Sequence, residues 1–295
     1  GTVGASGLGL QARTVGRGRR VRNRAATVLV WLSVLVAVVP LAFVVAYVVV
    51  KGAKVVNLDF LTKPIPIVSR LPGPGMGPAI VGTLLTTGVA AVMAIPLGIL
   101  AAVYLNEYGG RNRTAVAIRF LSDVMTGVPS IVMGLFVYTI WVLRFGLSAF
   151  AGSLALGALM LPIVIRSTET VLRLVPNELR EASTALGARP SRTILSVVIP
   201  AALPGIVSGS LLAVARAAGE TAPLLFTIGA TRAVNTNVFN GVNTALSTQI
   251  FRNAQLPFTG AQDRAWGAAL TLIALVLVLT LVARLVAARF TRRAS

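Results

Sequence analysis

Six apolar runs, at residues 25–50, 79–105, 117–143, 153–174, 206–228 and 266–288, constrain this chain more than any other feature in it. A helix that crosses a bilayer needs about 20 largely apolar residues, and each run is close to that length or beyond it. In a chain of 295 residues, six such helices leave room for connections and no second soluble domain. Composition agrees: 56% of the residues are hydrophobic and only 12% are charged, about half the charged share of an ordinary soluble domain. The expected fold class is an all-α membrane protein with about six transmembrane helices.

The runs divide the chain into a basic tail at 1–24, a first transmembrane helix at 25–50, a Pro/Gly-rich loop at 51–78 and a core at 79–290 that contains a long connection at 175–205. Residues 1–16, GTVGASGLGLQARTVG, carry too little apolar surface to be held in a core and are expected to lack regular structure. The following RGRRVRNR precedes an apolar stretch too long for a secretory signal, so the first run reads as a retained anchor. Lys and Arg are retained on the cytoplasmic side of a membrane. With the N-terminus inside, the inner segments hold 18 basic residues and the outer ones 8, so both termini are expected in the cytoplasm. The same pattern explains the net charge of +19 without nucleic acid, because the arginines sit at the ends of apolar runs and not on a polar face. In the outer segment 231–264, Val242, Leu246 and Ile250 have the spacing of a short amphipathic helix resting on the bundle.

Histidine and cysteine are absent, which removes imidazole acid/base schemes, thiol chemistry, disulfides and most zinc sites. The eight carboxylates, Asp59, Glu107, Asp123, Glu169, Glu178, Glu181, Glu220 and Asp263, are scattered and form no metal-binding cluster. The only lysines, Lys51, Lys54 and Lys63, lie together in the first outer loop, so no P-loop exists. The chain is not expected to be an enzyme, and neither cofactor nor metal is expected in it.

Two charges interrupt the fifth run. Arg216 falls near the middle of 206–228, where an unpaired charge costs at least about 2.5–3.5 kcal/mol. Glu220, four residues on, shares its helical face and can pair with it. Gly219 weakens the turn and Pro223 cannot donate to the Gly219 carbonyl, so a hinge is expected at Gly219 and Pro223. Either the pair clamps a neighbouring helix or it lines a substrate pathway with Thr221. An arginine fork suits an oxyanion, and a competing carboxylate keeps such a site weak enough to release its cargo. Arg166 and Glu169, three apart in the fourth run after Pro162, form a candidate second pair, although Arg166 also fits an ordinary interfacial anchor. In the third run Asp123, Thr126, Gly127, Ser130 and Gly134 make a small, polar stripe broken by Pro129. Close helix packing and a channel wall are both open readings of it.

The connection at 175–205 reads as two short helices at an angle. Asn177 is a candidate N-cap after Pro176; Leu179, Ala182 and Leu186 make an apolar face; Glu178, Arg180, Glu181 and Thr184 occupy the opposite one; Gly187 stops the helix and Pro190 restarts the chain. Such a unit can lie on the membrane surface or enter a groove of another protein. Glu181-Ala182-Ser183, Gly187 and Val197-Val198-Ile199-Pro200 resemble the EAA loop of bacterial ABC importer permeases, E-A-A, three residues, G, nine residues, I-x-L-P. Ser, Val and Ile here replace Ala, Ile and Leu. The resemblance implies that Glu178, Glu181, Ala182, Leu186, Gly187 and Ala188 dock on a separate cytoplasmic ATPase.

GVPSIVMG at 127–134, LRLVPNELREASTALGA at 172–188 and ARAAGETAPLLFT at 215–227 resemble the permeases of the phosphate-specific ABC importers, in the PstA branch rather than the PstC branch. The likeness covers roughly residues 75–290. It implies a MetI-like helical core in a bacterial plasma (inner) membrane and a second, PstC-like permease. It also implies a PstB-like ATPase dimer that binds the ATP and Mg, and a PstS-like phosphate-binding protein outside. From their charge and spacing, Arg216, Glu220, Thr221, Arg166, Glu169, Asp123, Thr126 and Ser130 are the candidate substrate-pathway residues. The alternatives are a permease for sulfate or molybdate, a passive anion channel, and a membrane-embedded enzyme. The missing acid/base residues oppose the last, and a coupling loop has no purpose in a channel.

Overall fold

The computed structural model describes residues 17–68, 70, 73, 75–110 and 112–292, and every regular element among them is helical. The 1–16 stretch expected to lack structure falls outside the described residues, as do four positions of the Pro/Gly-rich loop.

The chain divides into two units, Gly1–Val49 and Val50–Ser295. The first holds most of α1 (Arg17–Gly52), which runs unbroken through Pro40. Side chains at 21–47 are all exposed, an apolar surface that requires lipid or other helices in place of water.

The second unit begins with α2 (Leu58–Thr62), capped by Asn57, whose Oδ1 accepts the Phe60 N–H at 2.8 Å. Then come α3 (Gly77–Val103), extended by a π-helical turn at Tyr104–Tyr108, and α4 (Arg113–Gly127). α5 (Ser130–Val137) passes through a π-turn at Tyr138–Val142 into α6 (Leu143–Phe145), and α7 (Ala149–Arg173) follows. Next are α8 (Asn177–Ala185), α9 (Pro190–Thr193) and, after a π-turn at Ile194–Val198, α10 (Ile199–Gly219). The chain closes with α11 (Ala222–Thr227), α12 (Leu246–Ala254) and α13 (Thr259–Arg292). Five continuous stretches are long and apolar enough to span: Val21–Gly52, Gly77–Tyr108, Ala149–Arg173, Pro190–Gly219 and Thr259–Leu285. A sixth is the pair Arg113–Gly127 and Ser130–Phe145, bent by 106°.

α7 is the axis of the second unit, packed by α3, α10, α4, α5 and α11. Its core face presents Leu156, Met160 and Val164 to Ala90 and Ala94 of α3, Ala213 and Ala217 of α10, and Leu224 of α11. The small residues let backbones approach closely, which is how helices associate where lipid removes the hydrophobic drive between them.

Two of the six runs are not single helices. In the third, Val128 and Pro129 are both extended, with ψ of 127° and 135°, because a proline disfavours the helical region for the residue before it and lacks an N–H of its own. In the fifth, α10 ends at Gly219 and Glu220 is extended, with φ −67° and ψ 133°. The expected kink is therefore a full break. Proline alone does not decide this, since Pro40, Pro96, Pro162 and Pro204 all lie inside intact helices. Both breaks have a glycine two or four residues ahead, at Gly127 and Gly219, which adds backbone freedom to the missing hydrogen bond. The two broken elements meet: a Cβ on Gly134 of α5 would lie 2.5 Å from the Pro223 Cα of α11, so only glycine permits this approach.

The amphipathic segment after 231 also differs from expectation. α12 starts at Leu246, leaving Val242 outside it, and Leu246, Ser247, Thr248, Gln249 and Asn253 are buried against the bundle. The Leu246 N–H donates to Thr83 Oγ1 of α3 at 2.9 Å, and Gln249 bonds Thr244 and Asn253. Because its polar side chains satisfy one another, this helix is part of the core.

Candidate translocation and coupling sites

Arg216 occupies the last turn of α10 and not the middle of a span. A cation in that position meets the negative end of the helix dipole, a favourable placement. Its side chain is 68% exposed and its Nε stands 3.8 Å from Glu220 Oε1, beyond hydrogen-bonding distance. Glu220 is fixed by its backbone instead: its N–H donates to the Ala217 carbonyl at 3.1 Å, and its carbonyl accepts the Ser247 Oγ–H at 2.8 Å. The carboxylate is thus held beside a guanidinium that is not locked to it. Thr221, half-buried, forms the link to α11, and Gly219 opens on free space.

The second predicted pair does not form. Arg166 donates to Asp123 of α4, in a pair exposed on both sides. Glu169 turns the other way, into the protein, where its side chain is 4% exposed. Its Oε1 accepts Arg119 Nε at 2.9 Å and Arg173 Nη2 at 2.6 Å, and Arg119 Nη2 also donates to the Leu105 carbonyl at 2.9 Å. Three residues along a helix put Arg166 and Glu169 near each other, but α4 supplies each with a partner from across the groove. Within the polar stripe, Thr126 Oγ1 donates to the Ser122 carbonyl at 2.8 Å, and Ser130 is the first residue of α5 beyond the bend.

α8 and α9 form the predicted helix-turn-helix. Gly187 has φ +79°, its N–H donates to the Thr184 carbonyl at 2.9 Å, and the Ala188 N–H donates to the Ser183 carbonyl at 3.2 Å. These two hydrogen bonds to the last turn make the αL closure that glycine adopts without strain. Ser183 Oγ and Thr193 Oγ1 lie 2.9 Å apart and tie the two legs. Asn177 does not cap α8: Pro176 holds that position, and the Asn177 side chain accepts a bond from Arg180 at 3.3 Å. Glu178, Glu181, Ala182, Leu186 and Gly187 are exposed, Leu186 at 89%, and Ala188 is half-buried. α8 thus presents a free face.

Arg180, expected on the polar face, points inward. Its Nη2 pairs with Glu107 Oε1 at 2.9 Å and donates to the Leu172 carbonyl at 3.1 Å, while its Nη1 donates to the Val175 carbonyl at 2.7 Å. One side chain therefore joins α8 to the ends of α3 and α7. Glu107, Arg119 and Arg173 were not singled out from sequence. Arg173 stands four residues after Glu169 and could have been; Glu107 and Arg119 are 73 and 50 positions from their partners, beyond any local spacing rule.

A family model described as the binding-protein-dependent transport system inner membrane component matches residues 94–295. Over 279 residues the chain is 44% identical to the phosphate transport system permease protein PstA 1 of Mycobacterium tuberculosis, covering 93% of this chain and 91% of that protein. It is 45% identical over 262 residues to PstA of Mycobacterium leprae (88% and 86% covered) and 41% identical over 272 residues to PstA of Yersinia pestis (92% of each). The fold resembles a chain of a bacterial alginate ABC transporter solved with its alginate-bound periplasmic protein, with a TM-score of 0.60 and 15% identity over 92% of this chain and 96% of that one. It also resembles a chain of the inward-facing MetNI methionine ABC transporter, with a TM-score of 0.53 and 18% identity over 72% and 91%.

Proposed function

This chain belongs to the binding-protein-dependent inner membrane transport components and, among them, to the PstA phosphate transport permeases, and from that premise we propose how its geometry serves phosphate import. It is a multi-pass permease of the inner membrane, the membrane component of an ABC importer and not itself the ATPase. ATP and Mg are bound by a PstB-like ATPase dimer, a PstC-like permease supplies the other half of the pathway, and a PstS-like protein delivers phosphate from outside. The only lysines, Lys51, Lys54 and Lys63, fall outside any phosphate-binding loop, which supports an ATP site on another subunit.

The observation that carries the transit mechanism is the loose Arg216–Glu220 pair at the break between α10 and α11. An exposed ion pair is worth no more than about 1 kcal/mol, so a phosphate oxygen pair can displace Glu220 from the guanidinium and be displaced in turn. The arginine fork offers two parallel charge-assisted bonds to the anion. Thr221, Ser130 and Thr126 line the path beside it, with Gly219 and Pro223 as hinge, and Arg166 with Asp123 guards the other end. Glu169 serves the pathway indirectly, by fixing α4 against α7.

Coupling runs through α8. Its exposed face, with Glu178, Glu181, Ala182 and Leu186, enters the ATPase, and closure of the ATPase dimer moves α8 as a body because Gly187 and Ala188 close its end. Arg180 carries that motion to α3 and α7 through Glu107 and the Leu172 and Val175 carbonyls. Uptake of radiolabelled phosphate in cells whose only importer contains this chain tests the reading. Uptake that requires ATP and resists excess sulfate and molybdate supports it; uptake that follows the concentration gradient, or that sulfate abolishes, refutes it.

A further inference from the structure

At the end of the second unit where α10 finishes and α13 begins, opposite α8, lies a cavity of about 670 Å³ lined by Arg232, Arg252, Arg264, Gln249, Asn253 and Thr231, among others. None of its lining residues is acidic. A neighbouring cavity of about 640 Å³, which shares Arg264, differs in containing Asp59 and Asp263 beside Lys51 and Lys54. Carboxylates offset most of the positive charge in the neighbouring cavity, and none does so among the lining residues of the first.

The arginines of the cavity are held in different ways. Arg264 lies in α13 and is buried at 2% exposure. Arg252, half-buried on α12, donates Nη2 to the Gly229 carbonyl at 3.2 Å, one of the five N–H groups a guanidinium carries. Arg232 is exposed, and its backbone is pinned by the Ile65 N–H, which donates to its carbonyl at 3.1 Å. Neither Arg232 nor Arg252 has a carboxylate partner among the described residues. Beneath them, Asn253 Nδ2 donates to Gln249 Oε1 at 3.0 Å, and Gln249 Nε2 to Thr244 Oγ1 at 2.9 Å, a floor of interlocked amides. Arg232 and Arg252, two like charges at a cavity whose lining has no carboxylate, repel each other until an anion enters. A fork that matches phosphoryl oxygens makes arginine the residue for such an anion.

We propose that this cavity is a second oxyanion site, separate from Arg216, which holds a phosphoryl group: free phosphate before it reaches the break between α10 and α11, or the phosphodiester of an anionic lipid. The choice of phosphate as probe rests on the transport reading; the charge of the cavity does not.

The chain has no cysteine, so Ala233→Cys places a single reporter on the exposed rim of the cavity. The assembled importer carrying it is reconstituted in phosphatidylcholine vesicles, and the rate at which a neutral maleimide labels this chain is followed with inorganic phosphate or with potassium chloride of equal ionic strength. Phosphate, and not chloride, slows labelling, and adding Arg232→Gln or Arg252→Gln removes the protection. If phosphate has no effect but phosphatidylglycerol in the vesicle slows labelling through the same arginines, the occupant is the lipid phosphodiester. Absence of protection by either, or protection that survives both arginine substitutions, overturns the site. Arg216→Gln in the same background retains protection while uptake is lost, so a failure of this inference and a failure of the transit mechanism are told apart.

Discussion

Two arginine–carboxylate arrangements in this molecule use the same chemistry to opposite ends. Glu169 is buried between α4 and α7 with two guanidiniums on one oxygen, at 2.9 and 2.6 Å. Glu220, at the end of α10, faces one guanidinium at 3.8 Å, and that guanidinium is mostly in the open. Burial and multiplicity separate them. Removing one partner of a buried pair leaves an uncompensated charge, whereas an exposed pair dissolves at little cost. On the proposed transit mechanism a permease needs both: a fixed joint that keeps the spans in register, and a labile one whose cation changes partners with the cargo.

The comparison breaks most visibly at Glu169. Glu169→Ala removes two charge-assisted hydrogen bonds but leaves Arg119 and Arg173 partly exposed to solvent, so it is expected to cost about 3 kcal/mol, seen as a lowered melting midpoint and reduced yield of the assembled complex. Arg180→Gln is next. It leaves Glu107, at 11% exposure, without a cation and with only the Asn106 amide on its Oε1, for a loss of about 2 kcal/mol at that joint. Phosphate moved per ATP hydrolysed should then fall while ATP hydrolysis continues. Gly187→Val forces a β-branched residue into a left-handed conformation, costing about 1–2 kcal/mol, and should lower the amount of ATPase that co-purifies. Gly187→Asn, better suited to that conformation, should recover most of it. Smallest is Glu220→Gln, which should shift stability by less than about 1 kcal/mol in the same melt that reports Glu169→Ala. A large loss there would erase the distinction between the two sites.

How much of this was legible in the sequence depended on range. Spanning runs announce themselves by length, and the turn between α8 and α9 was readable because Gly187 and Ala188 close it on Thr184 and Ser183, only three and five residues back. The residues of the fifth-run break, Gly219 and Pro223, were also identifiable, but a missing hydrogen bond there does not distinguish a kink from an ending. The extended Glu220, with its carbonyl on Ser247 of α12, decides that, and α12 is 27 positions away. Glu169 shows the limit most clearly: Arg166 and Arg173 both lie within one turn of it, and the pairing is fixed by α4, which gives Asp123 to Arg166 and Arg119 to Glu169.

Phosphate uptake by Arg216→Gln, in a complex shown to be assembled by the amount of ATPase it retains, tests the labile joint most directly. Losing two charge-assisted hydrogen bonds to the anion should reduce uptake by about tenfold or more, with Arg216→Lys in between and the melting midpoint unchanged. Uptake equal to that of the unaltered chain would contradict the assignment of Arg216 to the phosphate path.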